Sequence, residues 1–159
     1  MKLVFTYLKN LNIDYTLYEH PAVFTVAEAE QHRPNIVFGE NKNLFLRNKK
    51  GNKNYLITIK ANKRLDLKNL TKILNEDRLS FATENRLQEY LNLSPGSVSP
   101  FGLINDKQSL VEYILDEDLL QYSKLGFHPN INTQTVILNT MDFKKFLESL
   151  NNKISFLKL

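Results

Sequence analysis

The sequence has no cysteine, no tryptophan, and only five glycines and five prolines in 159 residues. The missing thiols exclude a disulfide framework, a cysteine-ligated zinc or iron–sulfur site, and a thiol nucleophile. So little glycine and proline excludes collagen-like, linker-like and low-complexity chains. Long hydrophobic runs are absent too: no uninterrupted apolar stretch passes four residues, against the roughly 20 that a spanning helix needs. The opening MKLVFTYLKN lacks a small-residue cleavage site and does not read as a signal peptide. The expectation is a soluble, cytoplasmic protein with no membrane partner.

What is present suits a globular fold. Hydrophobic residues make up 42% and charged residues 24% of the chain, enough to bury a core in a single domain over 1–159. The net charge of +4 is mild, but its distribution is uneven. Between Lys42 and Lys68 lie Arg47, Lys49, Lys50, Lys53, Lys60, Lys63 and Arg64, with Asp66 the only acid. A one-sided basic segment is the footprint of a polyanion such as RNA. It is also the composition of a solvated hairpin, the reading that charge alone favours.

Hydrophobic spacing predicts a helix over Leu3–Leu11, ended by Asn12, and a short strand over Tyr15–Tyr18. Thr25-Val26-Ala27-Glu28 has the form of a capping box, and the helix it opens must stop before Pro34. Leu44–Leu46 and Tyr55–Ile59 read as a hairpin around the polar turn 48–52. Asp66 caps a helix carrying Leu67, Leu70, Ile73 and Leu74. Ser80–Ala82 is a short strand, and Thr83 opens a helix with Leu87, Tyr90 and Leu91. Phe101–Ile104, Val111–Leu115 and Thr135–Leu138 read as further strands. Thr140 caps a helix with Phe143, Phe146, Leu147 and Leu150, and Ile154–Leu157 returns as an edge strand. The fold class is therefore α/β (α+β): a mixed β-sheet flanked by helices.

Phosphate-binding GxxxxGK[ST] and GxGxxG motifs are missing, as are HExxH and GxSxG. The three histidines, His20, His32 and His128, lack metal-ligand spacing. Three polar constellations remain. Lys42 and Asn43 lead into the strand Leu44-Phe45-Leu46, where a point charge and an amide can meet a phosphate or polar substrate, or simply face water. Ser94–Gly102 holds two glycines and two prolines in nine residues. It is a stiff loop in which Gly96 and Ser97 can offer N–H groups to a ligand, or a plain tight turn. Gly126–Thr133 embeds His128 among Asn130, Asn132 and Thr133. There the imidazole can act near neutral pH or make only structural hydrogen bonds.

In this order, Tyr18-Glu19-His20-Pro21, Lys42-Asn43-Leu44-Phe45-Leu46, Gly96-x-x-x-Pro100 and Phe127-His128-Pro129-Asn130 resemble the YbaK/prolyl-tRNA-synthetase-associated editing domain family. Within it they are most similar to the free-standing ProX (PrdX-type) branch. The resemblance runs from about Tyr7 to Leu150 and implies hydrolysis of a mischarged aminoacyl-tRNA ester, with no metal, cofactor or covalent intermediate. ProX-like members are associated with alanine on proline tRNA and YbaK-like members with cysteine. A non-catalytic tRNA- or amino-acid-binding module is the alternative of another class.

By carry-over, Lys42 would hold the 3′-terminal phosphate, Asn43 would bond the substrate or attacking water, and His128 would orient them. Gly96 would offer backbone groups to the aminoacyl moiety, with Pro100 fixing the loop and Ser97 and Gly102 beside it. His20, Asn130 and Thr133 complete the substrate contacts, with Phe24, Val26 and Phe45 as candidate pocket walls. The basic residues Arg47, Lys49, Lys50, Lys53, Lys60, Lys63 and Arg64 would meet the acceptor stem. The implied partners are mischarged tRNA and prolyl-tRNA synthetase, not DNA.

Overall fold

The segment 41–48 sets the apolar run Leu44-Phe45-Leu46 between polar residues, and the chain there extends into the longest strand. A computed structural model describes residues 2–22 and 35–159. Its strands are β1 (Tyr15–Glu19), β2 (Asn41–Asn48), β3 (Asn54–Lys60), β4 (Leu79–Phe81), β5 (Val111–Asp116), β6 (Lys124–Phe127), β7 (Gln134–Asn139) and β8 (Ile154–Leu157). Among the described residues four α-helices accompany them: α1 (Lys2–Asn10), α2 (Leu67–Ile73), α3 (Glu84–Leu91) and α4 (Thr140–Glu148). Two 3₁₀ helices cover Pro100–Asn105 and Glu117–Gln121.

The mixed α/β architecture with flanking helices is the expected one, and strand pairing divides it into two sheets. The larger has the order β4-β2-β3-β5-β8, the smaller the order β1-β7-β6. In the larger sheet β2 runs antiparallel to β3 and β4, while β3/β5 and β5/β8 are parallel. The smaller sheet is antiparallel throughout. A lone bridge between Gly39 and Leu125 ties the two together. A Cβ on Gly39 would stand 2.7 Å from Leu125 and 3.0 Å from Tyr122, so only glycine permits that approach.

The main core lies where the two sheets face each other. Phe45, Leu56, Tyr113 and Leu115 from one side meet Leu125, Phe127, Val136 and Leu138 from the other, closed by Val4 and Leu8 of α1 and Phe143 and Phe146 of α4. Its aromatic centre packs edge to face: Phe101 lies 5.2 Å from Phe146 and 5.9 Å from Phe127. A smaller cluster of Leu46, Tyr55, Ile57 and Ile114 sits on the opposite face of the larger sheet, beneath Leu70 of α2. Alternation along β2 and β3 explains the division, because neighbouring residues point to opposite faces.

Local signals behave as expected where a side chain serves its own helix. Asp66 accepts from the Asn69 N–H and Thr83 from the Arg86 N–H. Asn12 and Asn92 take positive φ as the chain leaves α1 and α3. Three expectations are corrected. Phe101–Ile104 is not a strand but part of a buried 3₁₀ helix, because Pro100 begins it and Ser99 Oγ caps the Phe101 N–H at 3.1 Å. Thr140 does not cap α4; its hydroxyl donates to the Tyr122 carbonyl at 2.5 Å, and Asn139 takes the cap position without a side-chain bond to the helix backbone. Gly126 and Phe127, read as the start of the polar stretch Gly126–Thr133, belong instead to the strand Lys124–Phe127 paired with β7. The capping-box helix at Thr25–Glu28, Phe24, Val26 and His32 lie outside the described residues.

Candidate active site

Strand β2 delivers Asn43 to the face shared with Phe45 and the main core, directly opposite Thr58 of β3. Asn43 Oδ1 accepts from the Thr58 hydroxyl at 2.5 Å, and Thr58 accepts from the buried Tyr113 hydroxyl at 2.6 Å. Asn43 Nδ2 reaches Asn41 Oδ1 at 3.5 Å. Asn41 in turn donates to the carbonyls of Gly39 at 2.9 Å and Gly126 at 3.0 Å. That last bond joins the start of β2 to the end of β6, two residues before His128. Asn43 and His128, 85 positions apart in the sequence, thereby each stand two residues from one hydrogen bond.

Lys42 is half-buried and follows the opposite side of the strand by alternation. Among the described residues no hydrogen bond or ion pair holds its ammonium group. Lysine and amide therefore flank one strand end rather than forming a single two-pronged grip.

His128 Nδ1 lies 2.8 Å from the Gln134 carbonyl. A carbonyl only accepts, so Nδ1 carries the proton and Nε2 of the neutral ring keeps its lone pair. Desolvation pushes the His128 pKa below its ordinary value, and the neighbouring His20 lowers it further, against the Gln134 hydrogen bond that favours the charged form. The two imidazoles stand 5.8 Å apart. His20 is held at both nitrogens, by the Pro21 carbonyl at 2.8 Å and the Thr135 hydroxyl at 2.9 Å. Its backbone N–H donates to the Thr133 carbonyl. Asn130 takes φ +64, and its Oδ1 and the Gln134 Oε1 are buried without a partner among the described residues. Thr133 is exposed.

The loop 94–102 serves geometry more than contact. Ser94–Ser97 is a turn with Pro95 second, Gly96 third at φ +85, and the Ser97 N–H bonded to the Ser94 carbonyl. That N–H is engaged, so Ser97 does not offer it to a ligand. Pro100 is buried at the start of the 3₁₀ helix. Gly102 is buried as well, and a Cβ there would meet Leu93 at 2.6 Å. Packing rather than a ligand requires that glycine. The loop reaches the site through Phe101, whose ring abuts Phe127 next to His128. Phe45 belongs to the main core.

The basic residues divide between the two ends of the hairpin. Lys49, Lys50 and Lys53 are exposed at its tip, about 23 Å from Lys42 at 3.3 Å per residue. Lys53 stands 3.8 Å from Glu76, and Arg47 donates to the carbonyls of Asn48 and Lys49. At the other end, Lys60 pairs with Asn41 and lies over the Tyr122 ring, while Arg64 is exposed. Lys63 does not fit a polyanion-binding role. Its ammonium is held by Asp116 at 3.0 Å, Asp118 at 2.5 Å and the Leu159 carbonyl at 2.7 Å. Burial alone would lower its pKa, but the bonds to Asp118 and Asp116 outweigh that and raise it.

Sequence reasoning missed Asn41, Thr58, Tyr113, Gln134 and Thr135. Asn41 and Asn43 share a strand face at spacing two, and Thr58 is the one aliphatic hydroxyl in the run Tyr55–Ile59. Both signals were open to a strand reading.

Several known proteins resemble this chain. It is 41% identical to the prolyl-tRNA editing protein ProX of Acetoanaerobium sticklandii over 96% of its own length and 93% of that protein's. It is 35% identical to prolyl-tRNA synthetase associated domain-containing protein 1 of Danio rerio, over 89% of this chain and 78% of that one. A crystal structure of a candidate trans-editing enzyme for prolyl tRNA synthetase superposes with a TM-score of 0.74 at 25% identity, covering 99% of this chain and 96% of that one. The sequence model for the aminoacyl-tRNA editing domain matches residues 20–146. That span opens on His20 of the imidazole pair and closes on Phe146 of the aromatic core, and the chain belongs to the aminoacyl-tRNA editing domain family.

Proposed function

We propose that residues 1–159 act as a single trans-editing domain that hydrolyses alanyl-tRNA(Pro) in the cytoplasm. Membership of the family makes the chain an aminoacyl-tRNA deacylase; alanine, the proline tRNA and the individual residue roles are the proposal. The observation that carries it is the Asn41–Gly126 hydrogen bond, which ties the strand carrying Asn43 to the strand that leads into His128. Likeness to ProX supports proline tRNA as the carrier.

In the reaction a water oxygen adds to the ester carbonyl carbon, the bond to the ribose oxygen breaks, and that oxygen leaves with a proton as the free hydroxyl. The products are uncharged tRNA and the amino acid. Lys42 grips the terminal phosphate as a point charge. Asn43 bonds the substrate or the water, and His128 Nε2 accepts a hydrogen bond from the attacking water or the terminal ribose. The ester is already activated, so fixing these groups and stabilising charge on the carbonyl oxygen suffices to lower the barrier by several kcal/mol. Gly96, Asn130 and Thr133 border the aminoacyl end, and Lys49, Lys50, Lys53 and Arg64 meet the tRNA backbone.

The test is deacylation of tRNA(Pro) charged separately with alanine, cysteine and proline, with a chelator present. Loss of alanine alone is expected. Preferential loss of cysteine would reassign the substrate, and loss of proline at the rate of alanine would remove the editing role.

A further inference from the structure

The hydrogen bonds behind Asn43 run in one direction. Tyr113 is fully buried, and desolvation holds its pKa far above the ordinary tyrosine value, so its hydroxyl keeps the proton. That proton goes to Thr58 Oγ1 at 2.6 Å. Thr58 is itself fully buried, and having accepted from Tyr113 it directs its own proton to Asn43 at 2.5 Å. Only an oxygen can receive it, which fixes Oδ1 of Asn43 toward Thr58.

The other end of the chain of bonds agrees independently. The carbonyls of Gly39 and Gly126 only accept, so Asn41 turns its amino group to them and its oxygen to Asn43. A donor on Asn43 must face that oxygen, and Nδ2 does, at 3.5 Å. Both ends thus orient the same amide the same way, and its second N–H has no partner among the described residues.

We propose that Thr58 and Tyr113 are positioning residues that make Asn43 a dedicated hydrogen-bond donor in the deacylation site. This rests on the editing reading above and narrows it: Asn43 gives its N–H to the ester carbonyl as negative charge develops there, and does not accept a proton from the attacking water. The two hydroxyls upstream polarise the amide and make that N–H a stronger donor. A donor aimed at developing charge acts on turnover more than on substrate affinity.

Thr58→Val keeps the shape and removes the hydroxyl. The expected result is a kcat about 10–100-fold lower with KM within about threefold, and recovery of most of kcat in Thr58→Ser. Tyr113→Phe should fall between Thr58→Val and wild type. In an Asn43→Ala background Thr58→Val should change kcat no further, because its effect passes through Asn43. Equal loss from Thr58→Val in both backgrounds, or no loss in a folded protein, would overturn the proposal. The side-chain amide resonances of Asn43 in a ¹⁵N-labelled sample give a readout independent of the reaction. They should be shifted and slow to exchange in wild type and in Thr58→Ser, and move toward free-amide values in Thr58→Val. Unchanged resonances would sink the relay even with an active enzyme. Shifted resonances in a protein that deacylates nothing would keep the relay and sink the editing role.

Discussion

The Nδ1 atom of His128 stands 2.8 Å from the carbonyl oxygen of Gln134, six residues further along the chain. This single contact fixes the tautomer: the proton sits on Nδ1, and Nε2 is the nitrogen left to act. Gln134 opens β7, which pairs antiparallel with β6, so the acceptor is held by the sheet, and turning the ring away would give up this hydrogen bond.

A pH dependence follows. The folded-state pKa of His128 lies below its ordinary 6.5, mainly through desolvation. Between that depressed value and 6.5 the unfolded chain binds the proton more readily, so the native state loses stability as pH falls through the window. Deacylation at subsaturating substrate should therefore be flat from pH 7 to 8 and fall through one ionisation below 6.5. His128→Ala should abolish that ionisation along with most of the rate. A wild-type rate still level at the lowest pH where the protein stays folded would show that His128 does not act as an acceptor.

Lys42 should behave as a binding group for a terminal phosphate that is also needed in the transition state. Its ammonium has no hydrogen-bond or ion-pair partner among the described residues, so Lys42→Ala should leave the melting temperature within about 2 °C of wild type. Turnover should drop at least about 100-fold, as when a positioning charge is removed. Lys42→Arg should recover only part of it, since a planar fork does not replace a point charge. Weakened tRNA binding with unchanged single-turnover rate would make Lys42 a tRNA anchor only.

Much of the candidate site was proposed from the residues alone, and what the sequence hid of its geometry has a physical cause. Lys42, Asn43 and His128 stand out as polar groups beside apolar strands, and strand β2 presents the first two where the pattern suggests. Their placement relative to His128 was not legible, because it depends on Asn41 reaching across 85 residues to Gly126, and tertiary hydrogen bonds leave no local period. Strand β6 was hidden because Gly126 and Phe127 read as the start of the polar stretch around His128; Gly126 lies in the strand, and a Cβ there would press on Phe38 at 2.8 Å. Phe101–Ile104 misled for a related reason. Four buried residues in a row match a strand as well as a 3₁₀ turn, and the Ser99 cap decides between them. The basic segment carried a real charge excess, but composition could not show that Asp116 and Asp118 claim Lys63.

The division of those basic residues makes salt dependence informative. If Lys49 and Lys50 at the hairpin tip touch tRNA phosphates, tRNA affinity should fall as salt rises. Lys49→Ala with Lys50→Ala should then flatten the slope by about 0.7–0.9 for each phosphate no longer neutralised. Lys63→Ala should leave the slope unchanged and destabilise the fold instead. It strands the buried Asp116 carboxylate, at a cost of about 3 kcal/mol. Titrations at several salt concentrations, paired with urea unfolding, separate the two effects. A flatter slope for Lys63→Ala at unchanged stability would return that residue to the tRNA surface.

Asn48 offers the converse case, a residue that the fold needs and the chemistry does not. It is 3% exposed at the start of the hairpin turn. Its Oδ1 accepts from the Asn52 and Lys53 N–H groups at 3.0 and 3.1 Å, while Nδ2 donates to Asn52 and Glu76. Glu76 also takes the Tyr55 hydroxyl at 2.5 Å, so one amide locks the turn to the segment after α2. Asn48→Ala strips partners from two backbone donors and one carboxylate, which places the loss at about 2–3 kcal/mol. Asn48→Asp keeps both acceptors but sets a second carboxylate against Glu76, and should recover little at pH 7 and more as the pH drops toward 4. In both variants the folded fraction should deacylate at the wild-type rate, since Asn48 lies at the far end of β2 from Asn43. A slower rate at full folding would mean that the hairpin tip and the site move together, and urea unfolding beside single-turnover kinetics tells these outcomes apart.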